Sequence, residues 1–262
     1  MAFAMHAFVR RCSLVLPLVA FACAGDDPAD AGTSADTDTD TASSSASTTE
    51  PPTSSTTTTA DTSSSDSGVD TTTGGLCVSE LPAIVTDIDE TLTISDAEFV
   101  MQLGDSTYDP VEREGGAEMI TAYADLGYRI MYLTARAESL VAEDNGEMSR
   151  ELTERWLMEH GFPTGEETTE IVLSEVLVFG ETARTYKAEA IAALQADGWR
   201  FDYAYGNATS DIDAYADAGI PLDVTFIIGE HAGESGTVAV EGEGWVDHTA
   251  DFLPMVPLAC EG

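Results

Sequence analysis

Two carboxylates one residue apart are the first feature of this sequence that could do chemistry. Asp87-Ile88-Asp89-Glu90-Thr91 follows a short apolar, β-type run at residues 83–86. One carboxylate can attack a phosphoryl group while the other donates and later removes a proton, provided a cation neutralises the charge gathered there. An Asx-rich turn would use the same letters; the place after an apolar strand, and the residues that follow, favour chemistry. A second apolar run, 129–133, ends in Thr134-Ala135-Arg136, where the Thr134 hydroxyl and neighbouring backbone N–H groups, that of Ala135 included, can hold phosphate oxygens. Lys187 is the only lysine in the chain, a compact ammonium at the start of a helical pattern, suited to balancing phosphate and carboxylates. Gly206-Asn207-Ala208-Thr209-Ser210-Asp211 then offers an oxygen ligand at Asn207 and carboxylates at Asp211 and Asp213. Hard oxygen ligands with no His or Cys among them favour Mg²⁺.

These residues need a scaffold that brings them together. Apolar β-type runs are predicted at 83–86, 129–133, 176–179, 201–205 and 224–228. Helical patterns fall between them, at about 116–126, 147–160, 185–196 and 211–218, and Gly127, Gly161, Gly198 and Gly219 close them as helix C-caps do. This alternation predicts an α/β fold, a doubly wound parallel sheet with helices on both faces. In such sheets ligands sit at the carboxyl ends of the strands, where the polar clusters above fall.

The 262 residues carry 48 Asp+Glu against 10 Lys+Arg, a formal charge of −38. That balance excludes a broad phosphate-contacting face, so no nucleic-acid partner is expected. Three segments are expected. Residues 1–23 place Arg10 and Arg11 before a short apolar run ending at Cys23, an export signal whose end resembles a bacterial lipobox, although an ordinary secretory signal has the same outline. Residues 24–75, nearly all Ser, Thr, Asp, Ala, Gly and Pro, form a disordered acidic tether or a glycosylated stalk. Residues 76–262 form the folded domain, with 38 acidic residues against 8 basic ones. An anionic substrate there needs a metal or a local cation to screen it. The location expected is the bacterial cell envelope, with membrane attachment through an N-terminal lipid anchor; no protein partner is readable. Cys77 and Cys260 stand at opposite ends of the domain, as a disulfide or as two free thiols. His160, His231 and His248 lack ligand or triad spacing, Trp156 reads as the core stripe of a helix, and 230–244 reads as a loop or hairpin.

The four polar elements in this order resemble the haloacid-dehalogenase-type phosphohydrolases, and more closely the lipin-type LNS2 domain. The resemblance rests on Asp87-Ile-Asp-Glu-Thr-Leu-Thr-Ile-Ser-Asp96, Tyr132-Leu-Thr-Ala-Arg-Ala137, Gly161-Phe-Pro163, Tyr186-Lys187, Gly206-Asn-Ala-Thr-Ser-Asp-Ile-Asp-Ala-Tyr215 and Ala218-Gly-Ile-Pro221, and covers about residues 82–229. The Asp89-to-Thr134 spacing leaves no room for a large cap. What the resemblance implies is a Rossmann-like phosphatase core with Asp87 as nucleophile and Asp89 as general acid and base. Mg²⁺ would be held by the Asp87 carboxylate, the Asp89 main-chain carbonyl and Asn207, with Asp211 as a further or more distant ligand. Thr134 would bind phosphate, and Lys187 would orient the nucleophile and stabilise transferring charge. In lipins the substrate is phosphatidate. Some LNS2 domains of lipid-transfer proteins lack the nucleophile and only bind phosphatidate; both aspartates are kept here, which favours catalysis. Lipins have Gly where Glu90 stands, and carry an N-terminal lipin domain and an amphipathic helix not found here. Asp-x-Asp-Glu-Thr also occurs in lipoprotein acid phosphatases, so a soluble phosphomonoester remains an alternative substrate.

Overall fold

A computed structural model describes residues 80–260. The expected signal and tether, with Cys12, Cys23 and Cys77, lie outside the described residues. Cys260 is disulfide-bonded.

The strands are β1 (Leu81–Thr86), β2 (Arg129–Ala137), β3 (Thr169–Ser174), β4 (Trp199–Gly206), β5 (Thr225–Ile228) and β6 (Val238–Val240). They form one sheet in the order β3-β2-β1-β4-β5-β6, and each neighbouring pair is parallel. The helices are α1 (Ala97–Gly104), α2 (Gly116–Asp125), α3 (Ser149–Glu159), α4 (Glu181–Ala196), α5 (Thr209–Asp217) and α6 (Val246–Phe252). This is the doubly wound α/β architecture expected from the alternation of patterns.

β1 is apolar on both sides because both faces are covered. Ile84 packs into one core with Met119, Ile120, Trp156, Tyr205, Phe226 and Trp245. Its neighbours Ala83 and Val85 point the other way, into a second core with Met131, Leu133, Ile191 and Tyr215. The first face is covered by α2, α3 and the α6 region, the second by α4 and α5. Gly127, Gly161, Gly198 and Gly219 all have positive φ just beyond their helices, as helix C-caps require.

The chain leaves β1 for β2 and β3, then returns to β4 on the other side of β1. That reversal opens a crevice at the carboxyl ends of β1 and β4. Asp87 and Asn207 are the first residues after those two strands.

One predicted strand is in the wrong place. Residues 176–179 are loop, with Val176, Leu177 and Phe179 exposed at 63%, 56% and 63%. The strand that pairs with β2 is the preceding Thr169–Ser174. Two apolar runs follow one another here, and only the first is placed to continue the ladder from Ile130 to Thr134. The 230–244 segment is no hairpin: it holds β6, parallel to β5. α1 and α6 carry no clear sequence signal. Trp156 is core, with its indole N–H donating to the Pro110 carbonyl at 2.8 Å.

His248 sits among Phe226, Phe252 and Trp245, with Nε2 3.1 Å from the Tyr205 hydroxyl. Burial pulls its pKa down to about 4. A depressed histidine pKa stabilises the fold above the unfolded value of about 6.5 and loses that contribution as pH falls through 4. Because the ring is half-buried, the loss is on the order of 1–2 kcal/mol. Denaturant titrations should therefore show His248→Phe losing less stability than the unmodified chain between pH 7 and 4; equal losses would contradict this reading.

Candidate active site

β1 delivers Asp87 into the crevice. Its amide donates to the Tyr205 carbonyl at 3.0 Å, extending the β1–β4 ladder by one bond. The chain then turns tightly, and the Ile88 carbonyl accepts from the amides of Thr91, Leu92 and Thr93. In this turn Glu90 has φ +56°, a left-handed conformation that costs a non-glycine residue roughly 1 kcal/mol. Arg113 Nη2 donates to its carbonyl at 2.8 Å, and Asn207 Nδ2 donates to its carboxylate at 3.1 Å.

The nucleophile candidate is buried and shares a cation. Lys187 Nζ lies 2.6 Å from Asp87 Oδ1 and 2.6 Å from Asp211 Oδ1. Burial pushes the Asp87 carboxyl up to about 7 against the lowering pull of Lys187, with Asp211 and Asp89 adding to the rise. For Lys187, burial alone would lower the pKa, but Asp211 and Asp87 outweigh it and hold the ammonium above its usual value. Asp211 is wholly buried at the start of α5, where its second oxygen accepts from the amides of Asn207 and Ala208, both at 3.1 Å. A Cβ at position 206 would stand 2.7 Å from the Asp211 side chain, so Gly206 leaves the space Asp211 occupies.

Asp89 is held apart from this cluster. Its carboxylate accepts from Thr134 Oγ1 at 3.1 Å and forms a forked pair with Arg136, from Nε at 3.0 and 3.2 Å and Nη2 at 2.8 Å. The Arg136 amide donates to Thr134 Oγ1 at 3.2 Å, and Ala135 lies between these two residues. Asp87, Asp89, Thr134, Ala135, Lys187, Asn207 and Asp211 thus all stand along the carboxyl edge of the sheet. Asp213 does not: it lies on the outer side of α5, 3.7 Å from Arg184 and half exposed. Asp211 has both oxygens engaged by Lys187 and backbone amides, so of its two expected metal roles the more distant one agrees with this geometry.

The donor set suits a hard cation. Thr91 Oγ1 lies 3.3 Å from Asp87 Oδ2 and 3.0 Å from Asn207 Oδ1, so both oxygens converge on one point. Among the described residues no three His, Cys, Asp or Glu side chains are grouped to hold a metal. A set of one carboxylate, one amide oxygen and a main-chain carbonyl, completed by water, is the kind Mg²⁺ accepts. Asp96 adds to the local negative charge; burial, then Glu90 and Asp89, push its carboxyl up to about 6.

Arg136, Thr91 and Glu90 were given no role by sequence reasoning. For Arg136 a signal was present: Thr134 and Arg136 are two apart on a strand and so share a face.

A family model described as "PITM 1-3, LNS2 domain" matches residues 84–229. The chain belongs to the LNS2 domain family. Membrane-associated phosphatidylinositol transfer protein 3 of human and mouse is 29% identical over 157 residues, 59% of this chain and 14% of that protein. Protein retinal degeneration B of Drosophila melanogaster is 26% identical over 170 residues, 64% of this chain and 12% of that protein. The chain therefore spans only a small part of these relatives' length. Among solved structures, a Pnkp1/Rnl/Hen1 complex aligns at TM-score 0.41 and 17% identity, over 56% of this chain and 46% of that one. A phospho-aspartyl intermediate analogue of phosphoserine phosphatase aligns at 0.42 and 10%, over 64% and 97%. At these scores neither likeness bears on fold or chemistry.

Two substitutions in this LNS2 domain should act in opposite directions on stability. Lys187→Met leaves two buried carboxylates face to face and should cost about 3–5 kcal/mol at neutral pH. Glu90→Gly removes backbone strain and should leave the thermal midpoint unchanged or slightly raised. Thermal and denaturant unfolding of the two variants tests both; a large loss in Glu90→Gly would show that the Asn207 contact outweighs the strain.

Proposed function

We propose that this chain is a Mg²⁺-dependent phosphomonoester hydrolase working through an aspartyl-phosphate at Asp87, with phosphatidate as its substrate. The observation that carries the reading is the separation of two aspartates by two cations. Asp87 is buried against Lys187, while Asp89 is held by Arg136 and Thr134 and keeps 19% of its side chain exposed. One carboxylate is placed to attack and the other to exchange a proton.

In the first step an Asp87 oxygen bonds to phosphorus as the ester P–O bond breaks, and Asp89 gives a proton to the leaving oxygen. In the second, Asp89 takes a proton from water, which attacks phosphorus and releases Asp87. Lys187 orients the Asp87 carboxylate and offsets charge on the transferring group; the Ala135 amide, and the Thr134 hydroxyl once it turns from Asp89, hold phosphate oxygens. The Asp87 carboxylate, the Asp89 carbonyl and Asn207 would hold Mg²⁺, which when bound supplies positive charge among these carboxylates.

The resemblance to lipins supports phosphatidate, as do Val176 and Leu177, exposed on the β3–α4 loop at the same edge of the sheet. The net charge of −38 favours a second reading, a phosphatase for soluble phosphomonoesters, because it opposes docking on an anionic bilayer. Two relatives are named for phosphatidylinositol transfer, which favours a third reading, a non-catalytic lipid-binding module that takes phosphatidate. We further propose that Cys23 is lipidated and that residues 24–75 tether the domain at the cell envelope. Among the described residues no helix is long and apolar enough to cross a membrane.

Phosphate release with and without Mg²⁺, from phosphatidate in mixed micelles and from a panel of soluble phosphomonoesters, decides among the readings. Release from phosphatidate that EDTA stops and Asp87→Asn lowers by at least about 10³-fold is the expected outcome. Release from soluble esters alone would move the substrate to the second reading. Phosphatidate binding without any release would leave only the binding module.

A further inference from the structure

Arg136 is fastened more firmly than a phosphate-binding arginine needs to be. Its side chain is 1% exposed, its Nη1 donates to Thr153 Oγ1 at 2.9 Å, and its guanidinium lies 4.3 Å over the Phe99 ring. Thr153 is fixed in turn, its hydroxyl donating to the Ser149 carbonyl at 2.8 Å. Strand β2, helix α3 and helix α1 therefore each hold one side of the group. The remaining edge, Nε and Nη2, forms the fork that grips Asp89.

A guanidinium does not release its proton under physiological conditions, so it can orient a carboxylate without competing in proton transfer. Forked pairing also fixes the plane of the carboxylate, which a lysine cannot do. Lys187 serves Asp87, and among the described residues Arg136 and Thr134 are the hydrogen-bond donors to the Asp89 carboxylate.

We propose that Arg136 is the positioning residue for Asp89, setting the direction of its carboxylate for both proton transfers, and that Phe99 and Thr153 act through it. The inference rests on the phosphatase reading above. It assigns Arg136 no contact with substrate, so its loss should mimic loss of Asp89 rather than loss of phosphate binding.

The test compares the full chain with Asp89→Asn, Arg136→Gln and the double variant on two substrates. p-Nitrophenolate leaves from p-nitrophenyl phosphate without help from an acid; the alkoxide of glycerol phosphate needs one. Asp89→Asn should lower kcat/KM, which reports phosphoryl transfer to Asp87, by about 10²-fold or more on glycerol phosphate and much less on p-nitrophenyl phosphate, while the hydrolysis step common to both substrates shows in kcat. Arg136→Gln should show the same asymmetry in kcat/KM, about 10–100-fold on glycerol phosphate. The double variant should be no slower than Asp89→Asn alone, because residues acting as a unit are not additive. Effects that multiply, or that fall equally on kcat/KM for both substrates, would overturn the proposal. Should Arg136→Gln not fold, Thr153→Val removes only the Nη1 anchor and should lower glycerol phosphate turnover by about 3–10-fold with the same asymmetry; an unchanged ratio between the substrates would also overturn it. Phosphatidate, whose leaving oxygen is also an alkoxide, takes the place of glycerol phosphate if the unmodified chain turns over only the lipid; absence of turnover on all three would end the phosphatase reading and this inference together, whereas Asp87-dependent turnover indifferent to Arg136 would end the inference alone.

Discussion

The site is organised around one ammonium group. Lys187 Nζ stands 2.6 Å from carboxylate oxygens of both Asp87 and Asp211, and all three side chains are almost fully buried. Removing such charges from water costs several kcal/mol for each ion, and the arrangement holds only because every member has partners. Asp211 takes two amide hydrogen bonds at the start of α5, and Asp87 Oδ2 takes one from Thr91. The ammonium thereby ties the end of β1 to α4 and α5, the two helices on that face. Gly206 belongs to the same constraint, since a side chain there would meet Asp211.

The second cation solves a different problem. Asp87 and Asp89 are two residues apart in one turn, yet the roles proposed for them require different surroundings. Lys187 on one side and Arg136 on the other separate them, one carboxylate buried and one partly open to solvent. These two buried cations offset part of the carboxylate charge around them, and buried charges are screened by salt far less than the carboxylates on the surface.

Membership of the LNS2 family establishes the kind of domain, and the family includes domains within lipid transfer proteins. A fold and a family do not by themselves establish turnover; the residues of the site must carry that. Here the strained Glu90, the convergence of Asp87 and Asn207 on Thr91, and the forked Asp89 pair all concentrate at the β1–β4 crevice. Strain and buried charge are costs that functional sites commonly carry.

Much of this was legible in the sequence. Apolar runs and glycine caps revealed the parallel α/β sheet, because strand and helix periodicities are local properties of the chain. Asp87, Asp89, Thr134, Asn207 and Asp211 stood out because such sheets place polar residues at strand ends, and Lys187 because it is the only lysine in the chain. The exchange of residues 176–179 for Thr169–Ser174 as β3 was not legible, since two neighbouring apolar runs differ only in which one the β2 ladder reaches. Nor was the partnership of Arg136 with Asp89, or the outward turn of Asp213. The order of polar residue types along the chain determined which chemistry was available. Only the tertiary structure decided which carboxylate each cation serves, because that depends on distances between segments up to 100 residues apart in the chain.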